Sequence, residues 1–288
     1  MTQSPTFRNL LAGPDIVVAP GCYDALTARL TEQAGFKAVY MTGAGVSAAH
    51  GFPDFGLLTQ TEMVTAGTVI AGSVSVPVIA DSDTGYGNEL NVTRTVREYE
   101  RSGVAAIHIE DQISPKRCGH LDGKDVTSAE EFVSKIRAAV AARRDPSFVI
   151  IARTDARATR DPDEAIARAN AALAAGADMA FVEAPQTLEE MADIPRRVAG
   201  PCLLNLVPGG RTPIVSAAEA QAMGFKTVIL PGVLLREIIP LLDETLRTLR
   251  ETGLPNAVPP DQGVMDAFRR FGADEWNALR RIYERADA

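Results

Sequence analysis

Cys118 has the surroundings in this chain best suited to proton or nucleophile chemistry. The segment SPKRCGH (Ser114–His120) sets it beside Lys116, Arg117 and His120. Nearby cations tend to lower a thiol's pKa and make it reactive. For Cys22 and Cys202 the ordinary role of a small buried hydrophobe is expected. The segment is polar and contains Gly119. It also lies in a connection far longer than its neighbours, so it can move as a lid.

Asp81 and Asp83 in VPVIADSD are two apart, and on a regular strand both carboxylates point the same way. With Glu110 of AAIHIED they make a cluster of hard oxygen ligands. Excess negative charge without a Cys/His cage suits Mg²⁺, with Mn²⁺ as the alternative, bound partly through water and completed by substrate oxygens. A zinc site from Cys118, His120 and His108 is the rival, and it lacks a fourth ligand. Arg153 offers a planar fork to a carboxylate, or a salt bridge to Asp155 or Glu183. The turns TGAG (Thr42–Gly45) and PGG (Pro208–Gly210) expose backbone N–H groups that suit another carboxylate.

The elements that must position these groups alternate in texture. Apolar runs rich in Val, Ile and Ala predict strands over Ile16–Gly21, Ala38–Gly43, Val76–Asp83, Ala105–Asp111, Phe148–Asp155, Met179–Ala184, Cys202–Leu206 and Thr227–Gly232. Ala/Glu/Arg segments with helical spacing separate them, several closed by Gly as in AGF, SGV, AGA and MGF. Eight strand–helix repeats predict a (β/α)8 barrel in a single domain over 1–288, of which 255–288 is a helical arm. No G-x-G-x-x-G follows the first strand, which weakens a dinucleotide-binding fold. In a barrel the chemistry sits at the C-terminal strand ends. Those ends carry Tyr40, Thr42, Gly43, Asp81, Asp83, His108, Glu110, Asp111, Arg153, Asp155, Glu183 and Asn205, groups costly to place there unless they bind something. Past the last strand a long helix is predicted over Val233–Glu251, then an amphipathic tail on which Phe268, Phe271, Trp276, Leu279 and Ile282 can share a face. Two readings suit that tail: a helix packed on its own barrel, or an arm laid on a neighbouring subunit.

Composition narrows the function further. A net charge of −8 argues against a nucleic-acid partner, while a local Arg/Lys cluster still admits an anionic substrate. Three cysteines cannot all pair within one chain, and the N-terminal MTQSPTFRNLLAGPD has no basic segment ahead of an apolar core. No apolar run approaches the roughly 20 residues of a membrane helix. A cytoplasmic protein with free thiols is expected, away from membranes.

At these residues the sequence resembles the isocitrate lyase/phosphoenolpyruvate mutase superfamily. The blocks APGCYDALTARL, GFPDFG, ADSDTGYGN, HIEDQ, KRCGH, IARTDA and TVILPG carry the likeness over nearly the whole chain. KRCGH is similar to the signature of the lyase branch, and the chain's length to its short members: 2-methylisocitrate lyase, 2,3-dimethylmalate lyase, oxaloacetate acetylhydrolase and petal death protein. The resemblance implies a carbon–carbon lyase that cleaves a 2-hydroxy-dicarboxylate to a 2-oxoacid such as pyruvate and a second carboxylate. It implies Mg²⁺ held by Asp81, Asp83 and Glu110, with Asp54 in the surrounding network. Thr42, Gly43 and Ala44 would hold the 2-oxoacid carboxylate with Arg153, and Glu183 and Asn205 would line the pocket. Lys116, Arg117 and Gly119 would meet substrate from the lid, with His120 joining the catalytic set and Cys118 as general acid. Tyr40 or a carboxylate-bound water would take the substrate's hydroxyl proton. Lys116 and Arg117 favour thiolate, whereas a general acid must keep its proton. The resemblance also implies a homotetramer with exchanged C-terminal helices. After Asn205 this chain reads LVPGGR where methylisocitrate lyases carry N-x-x-E-F-G, which turns the expected substrate from a tricarboxylate towards a malate-type diacid. The alternatives are hydrolysis of oxaloacetate to oxalate and acetate, and a ligand-binding barrel without turnover.

Overall fold

The computed structural model describes residues 6–257, 259 and 263–286. Eight parallel strands close a barrel in chain order: β1 (Val17–Cys22), β2 (Val39–Met41), β3 (Val78–Asp81), β4 (Ala106–Glu110), β5 (Val149–Thr154), β6 (Met179–Val182), β7 (Cys202–Asn205) and β8 (Thr227–Leu230). β8 returns to β1 in the register Val17↔Thr227, so the sheet has no open edge. The expected (β/α)8 barrel is what forms.

Successive strand residues face opposite sides, and the apolar runs divide accordingly. Val17, Ala19, Ala38, Tyr40, Ile79, Ala106, Val149, Ile151, Met179, Phe181, Leu203 and Ile229 pack together, joined by Phe7 of the first helix, Phe7–Ala12. Val39, Met41, Val78, Ala80, Ile107, Ile109, Ile150 and Ala152 instead meet helical side chains such as Val96, Phe132 and Ile136. This inward period of two continues up the strands. Ile79 leads to Asp81, Ala106 to His108 and Glu110, Ile151 to Arg153, Phe181 to Glu183, and Leu203 to Asn205. The polar groups are therefore the top layer of the barrel's filled interior.

Local signals start the helices. Asp24 and Thr27, Thr59 and Glu62, and Ser216 and Glu219 form reciprocal caps at their helix N-termini. The strands are shorter than the apolar runs suggested, and one difference matters. β3 ends at Asp81, and Asp83 lies beyond it with φ 48. Asp81 and Asp83 therefore do not share a strand face; a turn brings them together, and the Asp83 N–H donates to Asp81 Oδ1 at 2.9 Å. The tail also differs: instead of one continuous face it forms two helices, Val264–Arg269 and Ala273–Ala286, separated at Gly272 with φ 87.

The chain divides into two compact units, 1–235 and 236–288, the second beginning inside the helix Val233–Thr252. That helix has no buried residue, and Leu241, Leu246, Phe268, Trp276 and Ile282 are all exposed. Among the described residues no helix is long and apolar enough to cross a membrane.

Candidate active site

The site is roofed by the connection between β4 and the helix Ala129–Ala142. Its base is a short antiparallel pairing: Gln112 bridges Val126, the Ile113 N–H donates to Asp125 O, and the Thr127 N–H donates to Asp111 O. From that base the loop lies down on the polar layer. A Cβ on Gly119 would fall 2.2 Å from Glu183 Oε1 and 2.7 Å from Arg153 Nη2, so only glycine permits this approach. A Cβ on Gly56 would lie 3.1 Å from the Lys116 backbone N, and one on Gly210 would lie 2.6 Å from His120 Nδ1. The lid is thus seated against three other loops.

Its cations are spent on that seating. Lys116 Nζ donates to Asp54 Oδ1 at 2.5 Å and pairs with Asp83 Oδ1 at 2.8 Å. The Arg117 guanidinium stacks 5.2 Å from the Phe55 ring centre. The Arg211 N–H donates to His120 Nδ1 at 3.0 Å, so the neutral ring carries its proton on Nε2, 3.4 Å from Glu183 Oε1. Arg211 also pairs with Asp122 of the lid.

Beneath the lid Arg153 meets both of its expected partners and one more. Nε donates to Asp155 Oδ2 at 3.0 Å, Nη1 stands 3.2 Å from Glu110 Oε2, and Nη2 stands 3.6 Å from Glu183 Oε1. Asn205 Nδ2 donates to Glu183 at 3.1 Å. Asp111 holds the backbone behind Arg153, accepting from the Asp155 N–H, Thr154 Oγ1 and Arg168 Nη1. Thr42 caps the short helix Gly43–Ala49, whose opening N–H groups have no intrahelical acceptor. Within the cluster, Asp83 Oδ1, both Glu110 oxygens, His120 Nε2 and Asn205 Oδ1 are buried without a well-formed hydrogen bond. Native interiors rarely leave such groups unsatisfied unless a ligand, ion or water completes them. Backbone strain gathers here too: among described residues, the non-glycine positions with positive φ are Asp83, Tyr86 and Ala184, all just past β3 or β6.

Burial and charge set the protonation states. Burial pushes the Cys118 thiol up, helped by Asp54 and Glu183 and opposed by the His120 backbone N–H and Arg153. The expectation of a lowered thiol pKa is therefore overturned: Lys116 and Arg117 turn away onto Asp54, Asp83 and Phe55, and the thiol keeps its proton. Burial, and then Asp81, hold the Tyr40 phenol well above its ordinary range. Its OH lies 2.8 Å from His108 Nε2, which suits a hydrogen-bonding group and argues against Tyr40 as the base. Burial also takes His108 down to about 4, leaving it neutral. Engaged with Tyr40 inside the barrel, His108 does not join Cys118 and His120, which removes the zinc alternative. Burial raises Asp83 to about 6 against the pull of Lys116, and raises Glu110 well above its ordinary range against Arg153. Burial would raise Asp81 as well, but His108, Lys116 and Arg153 outweigh it and bring it to about 2. Burial disfavours charge on Lys116, yet Asp83, Asp81 and Asp54 hold it protonated.

The donor atoms are of the kind a hard cation takes. Asp81, Asp83 and Glu110 supply oxygens only, three of them lacking a well-formed hydrogen bond. Among the described residues no group of three His, Cys, Asp or Glu side chains is arranged to hold a metal ion by itself.

An open cleft of about 480 Å³ lined by Leu10, Pro14, Ile16, Val17, Phe36 and Lys37 contains none of these groups. Three side chains here escaped notice in the sequence: Phe55, Gln112 and Arg168. An exposed Phe beside the candidate Asp54 was the signal for the first. The other two carried none, because their partners are distant or backbone atoms.

Together the barrel and its roofed, carboxylate-lined top layer define a barrel enzyme for a small polar anion. The phosphoenolpyruvate phosphomutase family model matches residues 7–250, and the chain belongs to this family. It is 52% identical over 232 residues to a 2,3-dimethylmalate lyase of Eubacterium barkeri, covering 80% of each chain. It is 46% identical over 246 residues to a 2-methylisocitrate lyase of Aeropyrum pernix, covering 85% of this chain and 79% of that one. A structure of oxaloacetate acetylhydrolase in complex with the product oxalate superimposes with a TM-score of 0.91 at 38% identity, covering 98% of both chains.

Proposed function

We propose that this carbon–carbon lyase cleaves a malate-type 2-hydroxy-dicarboxylate, of which 2,3-dimethylmalate is the model, to a 2-oxoacid and a second carboxylate. The observation that carries the reading is the lid, seated over buried acceptors that lack a well-formed hydrogen bond, with its thiol protonated. The kinship with 2,3-dimethylmalate lyase and 2-methylisocitrate lyase supports the reaction class.

The N–H groups at the start of the helix Gly43–Ala49 and the Arg153 fork hold the carboxylate next to the hydroxyl carbon. A water held by the carboxylates takes the hydroxyl proton as it passes one of its own to a carboxylate oxygen. The C2–C3 electron pair then leaves with the departing carboxylate as an enediolate, and Cys118 Sγ delivers its proton to that carbon. Mg²⁺ at Asp81, Asp83 and Glu110 would stabilise negative charge on the substrate's carboxylate and C2 oxygen. Tyr40 stays neutral and donates a hydrogen bond. The closed lid excludes bulk water from the charge that develops. Glu183, braced by Asn205 and His120, stands where the substrate's far end would lie.

Product NMR after incubation with 2,3-dimethylmalate, 2-methylisocitrate and oxaloacetate tests the assignment. Pyruvate from 2,3-dimethylmalate with Mg²⁺ is expected. Oxalate and acetate from oxaloacetate, with the other two untouched, would establish the second reading, which the likeness to oxaloacetate acetylhydrolase favours. Silence across all three would favour a binding barrel. Cys118→Ser should lose turnover by orders of magnitude while calorimetric Mg²⁺ and oxalate binding survive; near-normal turnover would remove the acid.

The same reading extends to assembly and location. A homotetramer with exchanged C-terminal helices would cover Leu241, Leu246, Phe268, Trp276 and Ile282, and sedimentation velocity would reveal a monomer if it is wrong. Three unpaired cysteines suit a cytoplasmic setting.

A further inference from the structure

The Gln112 side chain meets the lid at the main chain of Arg117; it is only 1% exposed, and both ends of its amide are engaged. Nε2 donates to Arg117 O at 2.8 Å, and Oε1 accepts from Arg117 N at 2.9 Å. Its own backbone bridges Val126 at the base of the lid. A residue anchored at the base thus reaches five positions along the loop and grips the main chain next to Cys118. The Arg117 carbonyl belongs to the peptide unit that ends at the Cys118 nitrogen, so this grip orients the plane from which the thiol projects.

We infer that Gln112 is a positioning residue for Cys118: its amide fixes the Arg117–Cys118 peptide, so that closing the lid brings the thiol to one place. Seating the lid is a separate matter, secured by Lys116 on Asp54 and Asp83 and by Gly119 against Glu183. The chemistry demands Gln at this point. A carboxylate can accept from the Arg117 N–H but would set a second oxygen against the Arg117 carbonyl, where a donor is required. The inference rests on the acid role proposed for Cys118, but the placement it asserts can be read without turnover.

The experiment compares wild type, Gln112→Met, Gln112→Glu and Cys118→Ser. Steady-state kinetics, calorimetric oxalate affinity with Mg²⁺, melting temperature and the iodoacetamide alkylation rate of Cys118 with and without saturating oxalate are recorded. In both Gln112 variants kcat should fall about 10- to 100-fold, the penalty of a misplacement near 1 Å. KM and oxalate affinity should stay within about threefold, because the groups holding the anion are untouched. Oxalate should slow alkylation strongly in wild type and weakly in the variants, since a thiol off its seat stays open to reagent. Equal losses in kcat and oxalate affinity would show that Gln112 merely supports the fold of the site, and unchanged alkylation protection would overturn the inference outright. If Gln112→Met melts early, Gln112→Glu, which keeps one of the two hydrogen bonds, carries the comparison. Normal turnover by Cys118→Ser would defeat the acid reading alone, leaving alkylation protection to decide the positioning.

Discussion

Gly119→Ala adds one methyl group at the tightest contact between lid and site. The glycine does not need a left-handed backbone, so alanine brings no conformational strain of its own. The methyl would meet Glu183, with Oε1 at 2.2 Å and Cγ at 2.5 Å, and Arg153 Nη2 at 2.7 Å. Restoring the first of these to an ordinary 3.4 Å contact requires about 1.2 Å of movement. Glu183 is tied to Asn205 and faces both Arg153 and His120, so it gives way poorly and the lid must lift instead. A reacting group displaced by about 1 Å loses on the order of 100-fold in rate. The expected outcome is a kcat lower by about two orders of magnitude with a nearly unchanged melting temperature, because the added methyl sits on a loop outside the apolar core. Trypsin cleavage after Lys116, Arg117 and Lys124 reads the lid directly, and saturating oxalate should protect wild type far more than the variant. Turnover within about threefold of wild type would refute the argument, since the seated lid would then not be the arrangement that performs the chemistry.

The same geometry sets three further outcomes. Burial raises the Cys118 pKa above its ordinary 9.0, so the pH profile of its alkylation should have a midpoint above that value; a midpoint below about 7 would mean a thiolate at rest and no acid. Asp83, raised to about 6, binds a proton that competes with the cation. With Glu110 raised as well, Mg²⁺ affinity by calorimetry should fall as the pH drops through about 6, by up to about tenfold per unit for the Asp83 proton, and a flat profile from pH 7.5 to 5 would take Asp83 out of the set. Phe7 is fully buried with Val17, Ala38, Ala106 and Val149 at the N-terminal end of the barrel, so Phe7→Ala should cost about 3–5 kcal/mol in denaturant melts. Activity per folded molecule should hold, because the cavity lies at the opposite end from the lid.

The eight-stranded barrel and the identity of its polar layer were legible in the sequence because both are local, periodic properties. An apolar run with a period of two ends in an acid, a His, an Arg or an Asn, and barrel geometry then puts those ends together. Asp81, Glu110, Arg153 and Asn205 could be read in this way, each standing on the inward row of its own strand, and Glu183 follows directly on β6. Asp83 could not be placed by that rule, because the strand stops at Asp81 and a left-handed turn reorients the chain beyond it.

Charge states belonged wholly to the tertiary structure. By neighbours in sequence, Cys118 looked like a thiolate among cations; in space those cations face Asp54, Asp83 and Phe55, and burial leaves the thiol protonated. Gln112 shows the same limit, since hydrogen bonds to backbone atoms leave no mark on the partner's residue type, and Arg168 meets Asp111 from 57 positions away. Sequence alone determined which groups this protein brings to the mouth of its barrel and that one of them is a cysteine on a long loop. Only the folded chain decided whether that cysteine holds its proton, because desolvation and the reach of a charge depend on distance in space and not along the chain.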